Sequence, residues 1–215
     1  MDTARLGRES LRRLGFTRQT PRPRHAEGDC AAQERSKAEF RRRMEALARE
    51  PSTRAVRVWA FDAHRAGLKP IRRKVWARRG QRPLAIGHQR FQWRYVYGFV
   101  RPATGEVVWF LAAFARESGA GPDKLVVLVL AGAGRHTAAG LVVPDGIRLE
   151  FLPPYSPELQ PAEHLWPLIR EPLANRHFEG IDDLDDALGD RCLDLADAPD
   201  RIRNATRFHW WPQFA

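Results

Sequence analysis

"KLVVLVLAGAGRHTAAG", residues 124–140, is the stretch on which the fold turns. From Leu125 to Leu130 every residue is Val or Leu, with no polar alternation. A short unbroken apolar run of this kind reads as a strand buried on both faces, and such strands sit inside sheets covered by helices. Glycines then break the run. Open α/β sheets place their working side chains at the carboxyl ends of strands, and at that end stands Ala131. The alanine is either an ordinary packing residue or the trace of a lost acid.

The flanking segments supply the rest of the sheet. "VRVWAFDAH" (56–64) alternates, with Val56, Val58, Ala60 and Asp62 on one face and Arg57, Trp59 and Phe61 on the other. "FQWRYVYGFV" (91–100) and "EVVWFL" (106–111) form a strand pair across the turn "RPATG". "AAFARESG" (112–119) gives one or two helical turns, and "IRLEFLP" (147–153) a further strand. "PAEHLWPLIREPLANRHF" (161–178) is expected to be helical from Pro161, kinked or divided at Pro167 and Pro172. An acidic helix follows over roughly 181–195. Hairpins first and strand–helix–strand crossovers later imply an α/β fold: a mixed sheet, three antiparallel strands then parallel ones, flanked by helices. "KVWARRGQRP" (74–83) is a loop or small hairpin.

Residues 1–50 read as a separate N-terminal portion. They hold a short helical pattern (Leu6, Leu11, Leu14), a cationic "PRPR" linker and a charged helix over 31–50. Residues 51–200 carry the sheet, and 201–215 form a tail. The tail's "RFHWWPQFA" either docks as an aromatic plug or stays loose.

Apolar residues make up 43% of the 215, a globular composition. The run ending at Ala131 is too short to span a bilayer. The N-terminal "MDTARLGRESLRR" has no apolar core of a secretory signal, so a cytoplasmic location is expected. Cys30 and Cys192 stand without ligand spacing, against a disulfide framework or zinc site. Net charge is +10, distributed unevenly: 16 basic and 6 acidic residues over 55–150, but 6 and 12 over 151–215. From Ala63 to Gly105 there are eleven Lys or Arg and no acid. That pattern points to a polyanion, with nucleic acid first.

Two acids stand at element ends. Asp62 closes the first strand, as a turn former or a metal ligand. Glu163 opens a helix, where a carboxylate complements the helix dipole. Their surroundings say more. "LPPYSPELQPAEHLW" (152–166) resembles the third catalytic block of the mariner-like transposase superfamily, in its bacterial insertion-sequence form. "FDAHRAGLKPIRRKVWARRGQRP" (61–83) resembles the first block, with Asp62 at its first acid and Ala63 where a neighbouring acid is common. "LVLAGAGRHTAAGLVVPDGIRLEFLPPYSP" (128–157) resembles the second block, and Ala131 holds the place of its aspartate. "LGFTRQTPRPRH" (14–25) looks like the end of a helix-turn-helix region.

The resemblance implies an RNase H-like DDE endonuclease that cuts and joins DNA with two divalent ions, Mg²⁺ or Mn²⁺. Asp62 and Glu163 would be its catalytic and metal-binding residues. A methyl group at position 131 cannot bridge two ions, because Mg²⁺ takes hard oxygen ligands. Asp123 lies roughly 26 Å off at the strand's other end, and Glu150 is a remote substitute. The chain is therefore expected to be truncated and catalytically impaired, binding at most one ion weakly. The alternatives are a DNA-binding competitor or repressor of a complete transposase, a residual nuclease, and a product that hardly folds. Expected partners are transposon ends and target DNA, with a homodimer left open. Arg65, Lys69, Arg72, Arg73, Lys74, Arg78, Arg79 and Arg82 are expected on phosphates. His136 either orients a phosphate or caps a turn. Trp76 and Trp93 are expected to pack in the core rather than stack on bases. Trp166 is expected on its helix's buried side.

Overall fold

The computed structural model describes residues 10, 12–17, 26–50, 54–80, 83–84, 90–109, 114, 116–132 and 142–212. Five strands form one sheet: β1 (Ala55–Gly67), β2 (Trp93–Arg101), β3 (Glu106–Val108), β4 (Lys124–Leu130) and β5 (Ile147–Phe151). Their order across the sheet is β3-β2-β1-β4-β5. β1 pairs antiparallel with β2 and β2 with β3, whereas β4 runs parallel to both β1 and β5. This is the mixed sheet that the residue pattern implied, in the RNase H-like form expected from the resemblance. β4 is buried on both faces from Val126 to Leu130, as its unbroken apolar run requires.

The helices are α1 (Cys30–Arg49), α2 (Leu165–Arg170), α3 (Ile181–Ala196) and α4 (Pro199–Thr206). Asp29 starts α1 by accepting the N–H groups of Ala31 and Ala32 at 2.8 and 3.1 Å. Phe40 and Met44 of α1 enter the same core as Val58, Ala60, Val127 and Val129. The core therefore runs unbroken across residue 50. At the other end Trp210 and Trp211 are buried against Phe40, at ring separations of 6.0 and 5.4 Å. The described part of the tail, to Pro212, docks as a plug.

The opposite sheet face carries a second cluster of Trp59, Phe61, Phe99, Val126, Leu128 and Leu130. Its cover is thin. Phe114, from the short connection between β3 and β4, stacks on Phe99 at 4.1 Å, while Tyr97 and Phe151 stay partly open.

Three expectations need correction. Asp62 does not close the first strand: β1 continues to Gly67, and only its parallel pairing with β4 stops at Ala60, because β2 carries the antiparallel ladder on to Gly67. The segment from Pro161 begins as a 3-10 turn, Pro161–His164, and α2 starts only at Leu165. Pro167 does not divide α2. It sits in the first turn, where a missing N–H removes no helical bond. Trp76 and Trp93 are not core residues: Trp76 is fully exposed and Trp93 is 44% exposed. Residues 71–78 form no regular element, and nothing draws Trp76 inward. Among the described residues, no helix is long and apolar enough to cross a membrane.

Candidate functional site

The parallel pairing of β1 and β4 ends at Ala60 and Val129. Two residues further along the chain stand Asp62, still within β1, and Ala131, one residue past the end of β4, both continuing the alternation that faces the α1 side. The strands part there, and the Gln160 amide enters between them. Its Nε2 donates to the Phe61 carbonyl at 2.9 Å and reaches the Val129 carbonyl at 3.5 Å. Gln160 is almost wholly buried. One turn on, the Glu163 N–H donates to the Gln160 carbonyl at 3.2 Å. A single short segment therefore both clasps the strand ends and delivers Glu163 to Asp62.

The two carboxyl groups meet. Asp62 and Glu163 share a hydrogen bond, and the Glu163 pKa is raised from 4.5 to about 7. Burial is the main cause, followed by the Asp62 charge and the hydrogen bond to Asp62, while Arg170 pulls the other way. Burial and the neighbouring Asp62 thus favour the protonated form of Glu163.

Trp166 faces the pair from the first turn of α2. Its indole N–H donates to Asp62 Oδ2 at 2.7 Å. The His64 ring lies against the indole at 5.0 Å and 20°, and Arg170 Nε donates to His64 Nε2 at 3.0 Å. Burial and the Arg170 charge lower the His64 pKa from 6.5 to about 4, so the ring is neutral. Gly98 is the β2 partner of Asp62. A side chain there would meet Leu165 Cδ1 at 2.9 Å and Trp166 Cη2 at 3.0 Å, so glycine is what lets α2 lie this close.

Glu150 faces the same side, paired with Val129, but its carboxylate is held by Arg43 at 3.1 Å and Arg148 at 3.3 Å. Among the described residues no group of three His, Cys, Asp or Glu could hold a metal. His136 and Arg82 lie outside the described residues.

Arg65, Lys69, Arg72, Arg73, Lys74, Arg78 and Arg79 are all exposed. Arg65 lies 4.8 Å over the Trp93 ring. Arg73 is held by its backbone, with the Asn175 side chain accepting its N–H at 2.9 Å and donating to its carbonyl at 3.1 Å. His64 and Arg170 also line a groove of about 420 Å³, together with Arg65, Lys69, Arg90 and Arg176 over an apolar floor. Among the described residues no acid lines it. The sequence reading missed Arg90, Arg170 and Arg176, along with His64, Gly98 and Gln160. The Trp166 spacing was the one available signal: three residues after Glu163 is nearly one helical turn.

Residues 57–185 match the family described as DDE superfamily endonuclease, and residues 3–40 match a winged helix-turn helix family. The protein y4pE/y4sA of Sinorhizobium fredii (strain NBRC 101917 / NGR234) is 38% identical over 104 residues, covering 43% of this chain and 77% of that one. The mariner Mos1 paired end complex with Mg is 17% identical, with a TM-score of 0.55 over 95% of this chain and 71% of that one. A pre-cleavage Mos1 transpososome is 16% identical, with a TM-score of 0.54 over 95% and 71%. At these identities the structural likeness is one of fold. By its sequence match over residues 57–185, this chain belongs to the DDE superfamily of endonucleases.

Proposed function

We propose that this chain is an insertion-sequence transposase protein that binds DNA, holds one divalent cation, and is impaired in strand cleavage by Ala131. The mutual hydrogen bond of Asp62 and Glu163 carries this reading. Two acids more than a hundred residues apart in sequence converge at the carboxyl end of a parallel strand, where their like charges oppose each other. A cation relieves that repulsion, and hard carboxylate oxygens suit Mg²⁺ or Mn²⁺.

The donor set fits one ion and not two. Ala131, two residues past the last β1–β4 pair, offers only a methyl group where the resemblance calls for a third carboxylate, and Glu150 is engaged by two arginines. When bound, the ion would supply Lewis-acid stabilisation of charge on a phosphoryl oxygen. The chain's own residues do the rest. Asp62 and Glu163 hold the ion in place of the Glu163 proton. Arg65, Lys69, Arg170 and Arg176 draw a DNA strand along the groove by its phosphates, without reading sequence. The exposed Arg72, Arg73, Lys74, Arg78 and Arg79 extend that track. Residues 3–40 supply a further duplex contact, as their winged helix-turn helix match suggests.

A second reading, a non-cleaving competitor of a complete transposase, is favoured by the same incomplete acid set beside an intact cationic groove. One experiment separates the two. Labelled duplex DNA is incubated with the parent and with Ala131→Asp, in Mg²⁺ or Mn²⁺. We expect binding by both, no cleavage by the parent and metal-dependent nicking by the variant. Cleavage by the parent overturns the impairment. A variant that folds and binds DNA yet stays silent favours the competitor.

A further inference from the structure

We propose that Trp166 is a positioning residue for the acid pair, its indole N–H fixing the Asp62 carboxylate while His64 and Arg170 fix the indole. This rests on the reading of Asp62 as a cation ligand.

The geometry gives each partner a distinct task. The Trp166 Nε1–H meets Asp62 Oδ2 at 2.7 Å, a short contact for an uncharged donor on a carboxylate. It occupies one lone pair of one oxygen and sets the plane of the group. Asp62 then has its remaining lone pairs for Glu163's side of the site. The indole is clamped from both faces of its fold: Gly98 lets its ring reach down to β2, and the His64 ring covers it at 5.0 Å. Arg170 is bonded to His64 at 3.0 Å, so the cover is itself held. All four residues come from β1, β2 and α2, which are rigid elements of the sheet and its helix layer. Partners of this kind, one bond removed from a metal, commonly change affinity by ~10–100-fold when removed.

Mn²⁺ binding to the full chain, read from the electron paramagnetic resonance signal of free Mn²⁺, tests this without reference to cleavage. Trp166→Phe keeps an aromatic ring at this position while removing the N–H and part of the indole, so the melting temperature is measured alongside. We expect Mn²⁺ affinity to fall about tenfold or more. A purely structural Trp166 would instead lower the melting temperature and leave Mn²⁺ affinity below the melt unchanged, which overturns the proposal. His64→Ala removes the ring that covers the indole while leaving Trp166 itself in place, and serves if Trp166→Phe folds poorly; a smaller loss of affinity is expected, and full affinity removes the His64 and Arg170 part. Asp62→Asn separates the two levels. If Asp62→Asn binds Mn²⁺ as the parent does, the cation reading itself fails. If Asp62→Asn loses the ion and Trp166→Phe keeps it, only the positioning role fails.

Discussion

Glu163 and His64 are displaced in opposite directions by the same burial, and the difference is measurable. Glu163 rises from 4.5 to about 7, so the folded state binds its proton more tightly than the unfolded chain does. That contribution to stability is complete below pH 4.5 and lost as pH rises through 7. His64 falls from 6.5 to about 4, so its contribution is complete above pH 6.5 and lost as pH falls through 4. Between pH 4.5 and 6.5 the two oppose each other. Glu163→Gln removes the first, so its melting temperature relative to the parent should drop on acidification. His64→Phe removes the second, so its relative melting temperature should rise on acidification. Differences that stay flat from pH 7 to 4.5 would refute both assignments. Both groups are about half buried, and solvent screening keeps either trend small. At this scale Asp62 and Glu163 were legible because a motif singled them out. Gln160 and Gly98 were not, because an amide clasp and a bare Cα acquire meaning only when two strands and a helix are in place.

The elements explain why the motif residues meet at all. Gly98→Ala places a methyl 2.9 Å from Leu165 Cδ1 and 3.0 Å from Trp166 Cη2, so these two buried side chains, or α2 with them, must shift. We expect a loss of ~1–3 kcal/mol, typical of overpacking, read as a lower denaturation midpoint. An unchanged midpoint would mean that α2 is not seated on β2 as described. Asn175→Ala acts on another join. It removes two hydrogen bonds that tie Arg73 to the turn after α2, at a position with φ of 60° where Asn is favoured. Faster proteolysis within the 71–80 segment is expected, with little change in the global melt. Equal cleavage rates would contradict the tie. The strand β4 could be read from sequence because burial on both faces leaves an unbroken apolar run. The start of α2 could not, since Pro161 suits a 3-10 turn as well as a helix. Trp76 was misplaced for a different reason: a hydrophobic residue type says nothing of whether the backbone around it joins the core.

Across the whole molecule the charge pattern read from sequence becomes a shape. The acidic stretch of α3 is partly consumed internally: Asp183 accepts the Gly180 N–H at 3.1 Å and Asp185 accepts from Arg94 at 2.8 Å. The basic segment from Lys69 to Arg79 stays exposed and leads to the groove lined by His64 and Arg170. Cations that meet phosphates release counterions, so the logarithm of the binding constant falls with the logarithm of salt concentration by about 0.9 per phosphate. Replacing Arg72, Arg73 and Lys74 together by Ala should therefore reduce that slope by about 2 to 3. It should leave the thermal melt alone, because Arg73 is held by its backbone and the three side chains are exposed. The measurement is fluorescence anisotropy of a labelled duplex over a salt series, in EDTA so that the acid pair plays no part. Equal losses of affinity on unrelated duplexes are expected, since phosphate contacts carry no sequence information. A slope unchanged in the triple variant would show that the DNA passes elsewhere. The groove cations Arg65, Lys69, Arg170 and Arg176 would then be the set to replace next, with the same slope as the readout.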